Sequence, residues 1–272
     1  MGVAGAFFVL ALVMFALLAD LVAPHSPTAI IPSMRLARQG AVAPDGAPYL
    51  LGGDELGRDL LARVAHGARI SLAVGVVAVS IGTTVGSLLG LLSAHFMGKV
   101  DLIIQRIEDG QQSIPPLLLA MLLTSIVPAS IWVVMVAVGI TQVPRSNRVI
   151  RGAALSIEAA PYIESARAVG CGTGRILFRH ILPNVMPHII IIATTSLGGA
   201  IIVEASLSFL GLGVPPPNPS WGSMISAGGR EFMFRNPSLL FAPATVLALT
   251  VLSFNMVGDA LRDLWDPRLR GR

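Results

Sequence analysis

The sequence predicts an all-α membrane protein, one domain built as a bundle of six transmembrane helices, and three observations carry that expectation. Of 272 residues, 54% are hydrophobic and 12% charged, with a mean hydropathy of +0.76; a soluble domain of this length carries about twice that charge. Near-continuous apolar runs of roughly 18–25 residues recur along the chain, each able to cross a ~30 Å hydrocarbon core. Polar and apolar residues do not alternate at period two inside these runs. Helices, which satisfy their own backbone hydrogen bonds in lipid, are therefore expected in place of barrel strands.

The first span is expected at residues 2–23, ending at Pro24. A cleaved signal peptide needs a basic start, and no basic residue precedes Phe7, so the span reads as retained. Residues 24–69 are polar and rich in proline. Within them Leu56, Leu60, Leu61 and Val64 repeat at helical spacing, and Asp59 sits four residues before Arg63. This predicts a short amphipathic helix over 56–69 at the membrane surface. The second span, 70–96, sets Gly82, Gly86 and Gly90 on one face, where small residues let helices approach closely. A third span over 103–127 is broken or kinked at Pro115-Pro116, and a fourth covers 129–144. A long polar loop, 145–187, precedes spans at 188–210 and 239–261, themselves separated by a loop around Pro219-Ser220-Trp221-Gly222.

Eighteen of the 19 basic residues are Arg, Lys99 being the exception, and the net charge is +4. Six spans put both termini on the same side as the 145–187 loop. The arginines of that loop and of the tail make that side the cytoplasm by the positive-inside rule. The rule also accounts for the basic excess, and no basic patch on a soluble domain points to nucleic acid. The single Cys171 excludes an internal disulfide and a cysteine-rich metal site. The scattered histidines form no i, i+4 ligand pair, so no metal site is expected, and no catalytic triad can be argued from spacing. ATP hydrolysis by this chain is excluded as well. A phosphate-binding loop ends in Gly-Lys-Ser/Thr, and Val100 follows the one lysine.

One segment of the 145–187 loop has a mechanical look. Pro161 suits the first turn of a helix, where its missing N–H costs nothing. The helix is expected over 161–169, with Ile163, Ala166 and Gly170 on one small, mildly apolar face. Glu164 lies in the first turn, where the helix dipole favours a carboxylate. Gly170-Cys171-Gly172-Thr173-Gly174 stops the helix, and Thr173 can cap a following helix that leads to Leu182-Pro183. A helix this short is marginal alone; its expected use is to seat in a groove on another protein.

The segment resembles the cytoplasmic loop of bacterial ATP-binding-cassette importer permeases, whose pattern is E-A-A-x3-G-x9-I-x-L-P. Here the pattern becomes Glu164-Ser165-Ala166, three residues, Gly170, nine residues, and His180-Ile181-Leu182-Pro183, with departures at Ser165 and His180. A literal Glu158-Ala159-Ala160 just upstream is set aside as a decoy, because Glu164 stands where its glycine should be. Further stretches are similar to the dipeptide, oligopeptide and nickel group, and to its second permease subunit. They are Leu51-Gly52-Gly53-Asp54-Glu55-Leu56-Gly57-Arg58-Asp59, Arg179-His180-Ile181-Leu182-Pro183-Asn184, Glu204-Ala205-Ser206-Leu207-Ser208-Phe209, Gly258-Asp259-Ala260-Leu261-Arg262-Asp263 and Asp266-Pro267-Arg268. The basic leader usual in that family is missing, from which a truncated or misassigned start is expected.

The resemblance implies a translocation subunit, not an enzyme, in the bacterial cytoplasmic (inner) membrane. Glu164, Ser165, Ala166, Arg167, Ala168, Gly170, Ile181, Leu182 and Pro183 would couple it to cytoplasmic ATPase subunits. ATP and Mg would be bound by those partners, and no cofactor by this chain. The other implied partners are a homologous second permease subunit, an extracytoplasmic peptide-binding protein and the lipid membrane. Dipeptides or short oligopeptides are the implied cargo, with nickel or haem as alternatives. A carrier driven by an ion gradient is the competing class. It would depend on Glu204, an acid inside an apolar span and so a functional candidate by default. Glu204 reads either as such a group or as a paired residue that stabilises a gate or helix packing, the second being preferred. No inverted repeat is evident, and Asp259 is expected to be structural. Trp221 is left with two readings, part of a surface for the binding protein or an interfacial anchor.

Overall fold

The computed structural model describes residues 2–229 and 232–265; Asp266-Pro267-Arg268 and the last tail arginines lie outside them. Helix α1 (Gly2–Leu17) and the single turn α2 (Ala19–Val22) are followed by a loop that holds a small antiparallel hairpin, Ala41–Val42 against Pro48–Tyr49. Then come α3 (Leu60–Phe96), α4 (Gly98–Gln112), α5 (Pro116–Ile126), α6 (Ile131–Glu158) and α7 (Pro161–Ala168). The turn α8 (Thr173–Arg175) runs through a wide π-turn, Ile176–Ile181, into α9 (Leu182–Phe209). The short α10 (Trp221–Met224) and the long α11 (Ser238–Trp265) complete the described chain.

Three stretches among the described residues are long and apolar enough to cross a membrane, namely Leu60–Phe96, Thr173–Phe209 and Ser238–Trp265. Gly2–Leu17 and Pro116–Ile126 are apolar but shorter. Several expected boundaries move. The amphipathic piece expected over 56–69 is no separate surface helix. Leu56 lies in a turn, and the helix starts at Leu60, where Asp59 caps it by accepting from Leu61 N–H at 2.9 Å. From there α3 runs unbroken for 37 residues, and Leu60, Val64 and Ala68 are buried against other helices. The third expected span is two helices, because Pro115-Pro116 breaks it after α4.

The expected loop over 145–187 is largely helical. Pro144 sits inside α6, which continues to Glu158. Two of the arginines that read as loop find carboxylates on α4: Arg151 binds Asp101 through two hydrogen bonds of 2.7 and 2.6 Å, and Arg148 binds Asp109 at 2.7 Å. A proline removes one ladder bond from a helix, and packing along the rest of α6 outweighs that loss.

The core of the bundle is the contact of α3 with α6. A methyl group on Gly82 would lie 2.7 Å from Gly139 O, one on Gly86 2.5 Å from Val143 O, and one on Gly90 2.7 Å from Asn147 O. Backbone thus touches backbone along a seam of small residues, the arrangement by which helices associate in lipid. Val74, Ala78, Val134, Val138, Ala200 and Leu207 continue this core onto α9. Helix α1 lies on α11, with Gly2 against Ala260 and Gly5 against Met256.

At the hairpin end, Asp54 is buried and tied to Arg58 at 2.6 Å and to Arg63 at 3.3 Å, while His25 bonds Asp59 at 2.8 Å. Trp221 meets neither of its expected readings. Its ring is fully buried, and its indole N–H donates to Val64 O of α3 at 3.1 Å. Gly222 beside it permits that burial, since a methyl there would lie 2.1 Å from Ala205 O. An indole this enclosed is a structural pin between α10 and α3.

Candidate functional site

At the opposite end of the bundle, α7 forms as the sequence dictates locally. Pro161 occupies its first turn, and Gly170 ends it at φ +82°, in the left-handed region. Cys171 N–H bonds Ala166 O at 3.0 Å and Gly170 N–H bonds Arg167 O at 2.9 Å, the paired 6→1 and 5→2 bonds of a Schellman stop.

The side of α7 expected to dock turns inward. Ile163 is buried in a cluster with Leu91 and Ala94 of α3, Ile150 and Ala154 of α6, and Ile176, Leu177, Ile181 and Val185 around the π-turn, and Ala166 on the same face is buried as well. The periodicity shows that one face is small and apolar; it does not say which body covers it. Here the chain's own bundle does. Of the implied coupling residues, Glu164, Ser165, Arg167, Ala168, Gly170 and Pro183 are exposed, Leu182 is half-buried, and Ala166 and Ile181 are buried. Tyr162, Val169 and Phe178 stand exposed nearby, Val169 at 80%.

A residue that the sequence reading set aside fastens α7. Glu158, in the Glu-Ala-Ala decoy at the end of α6, has only 2% of its side chain exposed. One carboxylate oxygen bonds His95 Nδ1 at the end of α3, and the other accepts from the Arg167 guanidinium on α7. One buried acid therefore joins the ends of α3 and α6 to α7. His95 and Glu158 are 63 residues apart, so no local pattern could have announced the pair. The one available signal was an acid at the end of an otherwise neutral helical turn.

Glu204 lies in α9, far from α7 in the fold. It is fully buried and accepts from Ser71 Oγ of α3 at 3.1 Å and from Ser208 Oγ at 2.7 Å, and Ser208 Oγ in turn accepts from Val214 N–H. This is a closed knot joining α3, α9 and the turn after α9. Glu204→Gln is expected to keep transport within about twofold, because both serine hydroxyls can rotate to donate to the amide oxygen or accept from the amide N–H. Glu204→Ala leaves those hydroxyls unpaired at a cost of about 1–3 kcal/mol, which lowers the unfolding temperature in detergent. Loss of transport in a stable Glu204→Gln protein would favour a proton-carrying role.

Comparison with known proteins supplies the family. Residues 82–271 match the family described as binding-protein-dependent transport system inner membrane component. The glutathione transport system permease protein GsiD of Pectobacterium atrosepticum is 41% identical over 268 residues, covering 98% of this chain and 87% of that protein. The di/tripeptide transport system permease protein DppC of Pseudomonas aeruginosa is 38% identical over 266 residues, covering 98% and 88%. Among solved structures, an inward-facing form of the MetNI methionine ABC transporter superposes with a TM-score of 0.62 at 19% identity, covering 75% of this chain and 96% of that one, a likeness of fold. The chain belongs to the family of inner membrane components of binding-protein-dependent transport systems.

Proposed function

We propose that this chain is one of two homologous transmembrane subunits of an ATP-driven importer for dipeptides or short oligopeptides, with α7 as the helix that separate ATPase subunits push. The observation that carries the reading is the state of α7. One face is locked to the ends of α3, α6 and α9, and the other is bare, with Tyr162, Glu164, Ser165, Ala168 and Val169 exposed. A rigid attachment on one side and an open surface on the other is what force transfer between two bodies requires. The names of relatives near 40% identity over almost the whole chain support a peptide cargo. Six spans in the bacterial inner membrane, with both termini and α7 on the cytoplasmic side, complete the reading. ATP and Mg belong to the partner ATPases, and an extracytoplasmic binding protein delivers the solute. In this reading Ala166, Ile181 and Leu182 set the attitude of α7 from beneath, and Glu164, Ser165, Arg167, Ala168 and Gly170 meet the ATPase.

Purifying the tagged chain from its native membrane in mild detergent tests this. The expected result is a second permease and ATPase subunits in the same complex, with ATP hydrolysis stimulated by a peptide-loaded binding protein. A lone chain or homo-oligomer without ATPase overturns it. Gly170→Asp refines the test. Nothing lies within 4 Å of a side chain built there, so the penalty is the left-handed backbone, about 1–2 kcal/mol, plus an exposed charge beside Val169. The variant is expected to insert normally and to lose most transport, whereas Gly170→Ala, with the strain and no charge, loses much less. Full transport in Gly170→Asp at normal expression would remove α7 from the coupling role.

A further inference from the structure

A cleft of about 650 Å³ opens where α4 gives way to α5, bounded by the middle of α6 and by Gly199 and Val203 of α9. This volume suits a small solute. Its polar lining is Gln111, Gln112, Thr141, Gln142, Arg145 and Arg148. Three of the six are already engaged. Gln111 Nε2 donates to Ile140 O at 2.6 Å, Thr141 Oγ1 donates to Val138 O at 2.7 Å, and Arg148 is neutralised by Asp109 at 2.7 Å. Among the described residues, Arg145 has no carboxylate partner, and neither Gln112 nor Gln142 has a side-chain hydrogen bond.

The position of Arg145 makes this unusual. It follows Ile131, the start of α6, by fourteen residues. At 1.5 Å per residue that is about 21 Å along the axis, the middle of a 28-residue helix. A cation halfway along a bundle helix, facing a cleft and without an acid partner among the described residues, is a candidate solute contact. Arg145 is exposed and lines the cleft. Its guanidinium is a fork that fits a carboxylate, and the two free glutamine amides add neutral donors and acceptors that can hold a peptide bond.

We propose that Arg145, flanked by Gln112 and Gln142, is a transit subsite for the carboxylate of the peptide as it passes through this subunit. The proposal rests on the peptide-importer reading above. It also makes the cleft discriminating, since a bare metal dication would be repelled by Arg145.

The test uses the complete importer, purified with its own permease partner, ATPases and binding protein, in proteoliposomes with labelled dialanine as probe. Arg145→Gln is expected to assemble normally and to slow uptake about tenfold, the loss of one charge-assisted hydrogen bond, while ATP hydrolysis stimulated by the loaded binding protein persists. Arg145→Lys restores most of the rate. Arg148→Gln, removing a charge already neutralised, stays within about twofold of wild type. The subsite is overturned by uptake in Arg145→Gln within twofold of wild type, by Arg145→Lys as slow as Arg145→Gln, by equal losses in Arg148→Gln and Arg145→Gln, by ATP hydrolysis falling in step with uptake, or by failure of Arg145→Gln to assemble. A wild-type complex that hydrolyses ATP yet moves no dialanine overturns the peptide reading itself, and the subsite with it, which separates the two failures.

Discussion

Replacing Gly86 by Leu is expected to abolish accumulation of the folded subunit, and Gly86→Ala to lower its stability by about 1–3 kcal/mol, the range for overpacking a filled site. A methyl group on Gly86 would lie 2.5 Å from Val143 O, 2.6 Å from Ser146 Cβ and 3.0 Å from Asn147 N. Two of these three atoms are backbone, so no side chain can rotate out of the way, and α3 and α6 must separate. Separation propagates, because Gly82 and Gly90 make equally close contacts one turn to either side. Gly152→Ala is the control. It lies in α6 with nothing within 4 Å of an added methyl group, and alanine gains about 0.5–1 kcal/mol over glycine inside a helix. Thermal unfolding in detergent of the three variants checks the order Gly152→Ala ≥ wild type > Gly86→Ala, with Gly86→Leu recovered only as aggregate. A monodisperse Gly86→Leu subunit with wild-type stability would show that the seam is looser than its distances.

The glycine seam was legible because it has a period. Gly82, Gly86 and Gly90 recur every four residues, and four residues is nearly one helical turn. The stop at Gly170 was legible for a related reason: it is set by a single residue's backbone freedom and by its immediate neighbours. Features that depend on what lies across a contact were not legible. Ile163 and Ala166 identify an apolar face, yet an apolar face is equally suited to a partner's groove and to the chain's own core. Pro144 and Arg145 resemble the end of a span by composition, and α6 continues because acids on α4 meet its arginines and α3 packs along it. Trp221 reads as an exposed or interfacial residue in a Pro-rich loop, and only the carbonyl of Val64, 157 positions away, makes it a buried pin.

Glu158→Gln is expected to uncouple the importer, leaving ATP hydrolysis at or above the wild-type rate while transport falls about tenfold. The carboxylate is almost wholly enclosed and accepts from two elements at once, His95 on α3 and Arg167 on α7. An amide keeps the shape but removes the charge that holds the Arg167 guanidinium, and its N–H₂ can pair with His95 Nδ1 only if that nitrogen gives up its proton. Removing one partner of an enclosed ion pair costs about 3–5 kcal/mol. The figure here is lower, because Arg167 is 46% exposed and can turn to water. The effect falls on one joint. The apolar cluster around Ile163 still holds α7 near the bundle, but the rigid link from α7 to the end of α3 is gone, so ATPase motion moves α7 without moving the span. Transported peptide per ATP hydrolysed, measured in proteoliposomes, reads this directly. Asp263→Asn, an exposed acid near the end of α11 with no ion pair among the described residues and outside the coupling set, serves as the comparison and is expected to keep that ratio close to wild type. If Glu158 only stabilised the fold, transport and hydrolysis would fall together in Glu158→Gln at a constant ratio, and the clamp would have no part in coupling.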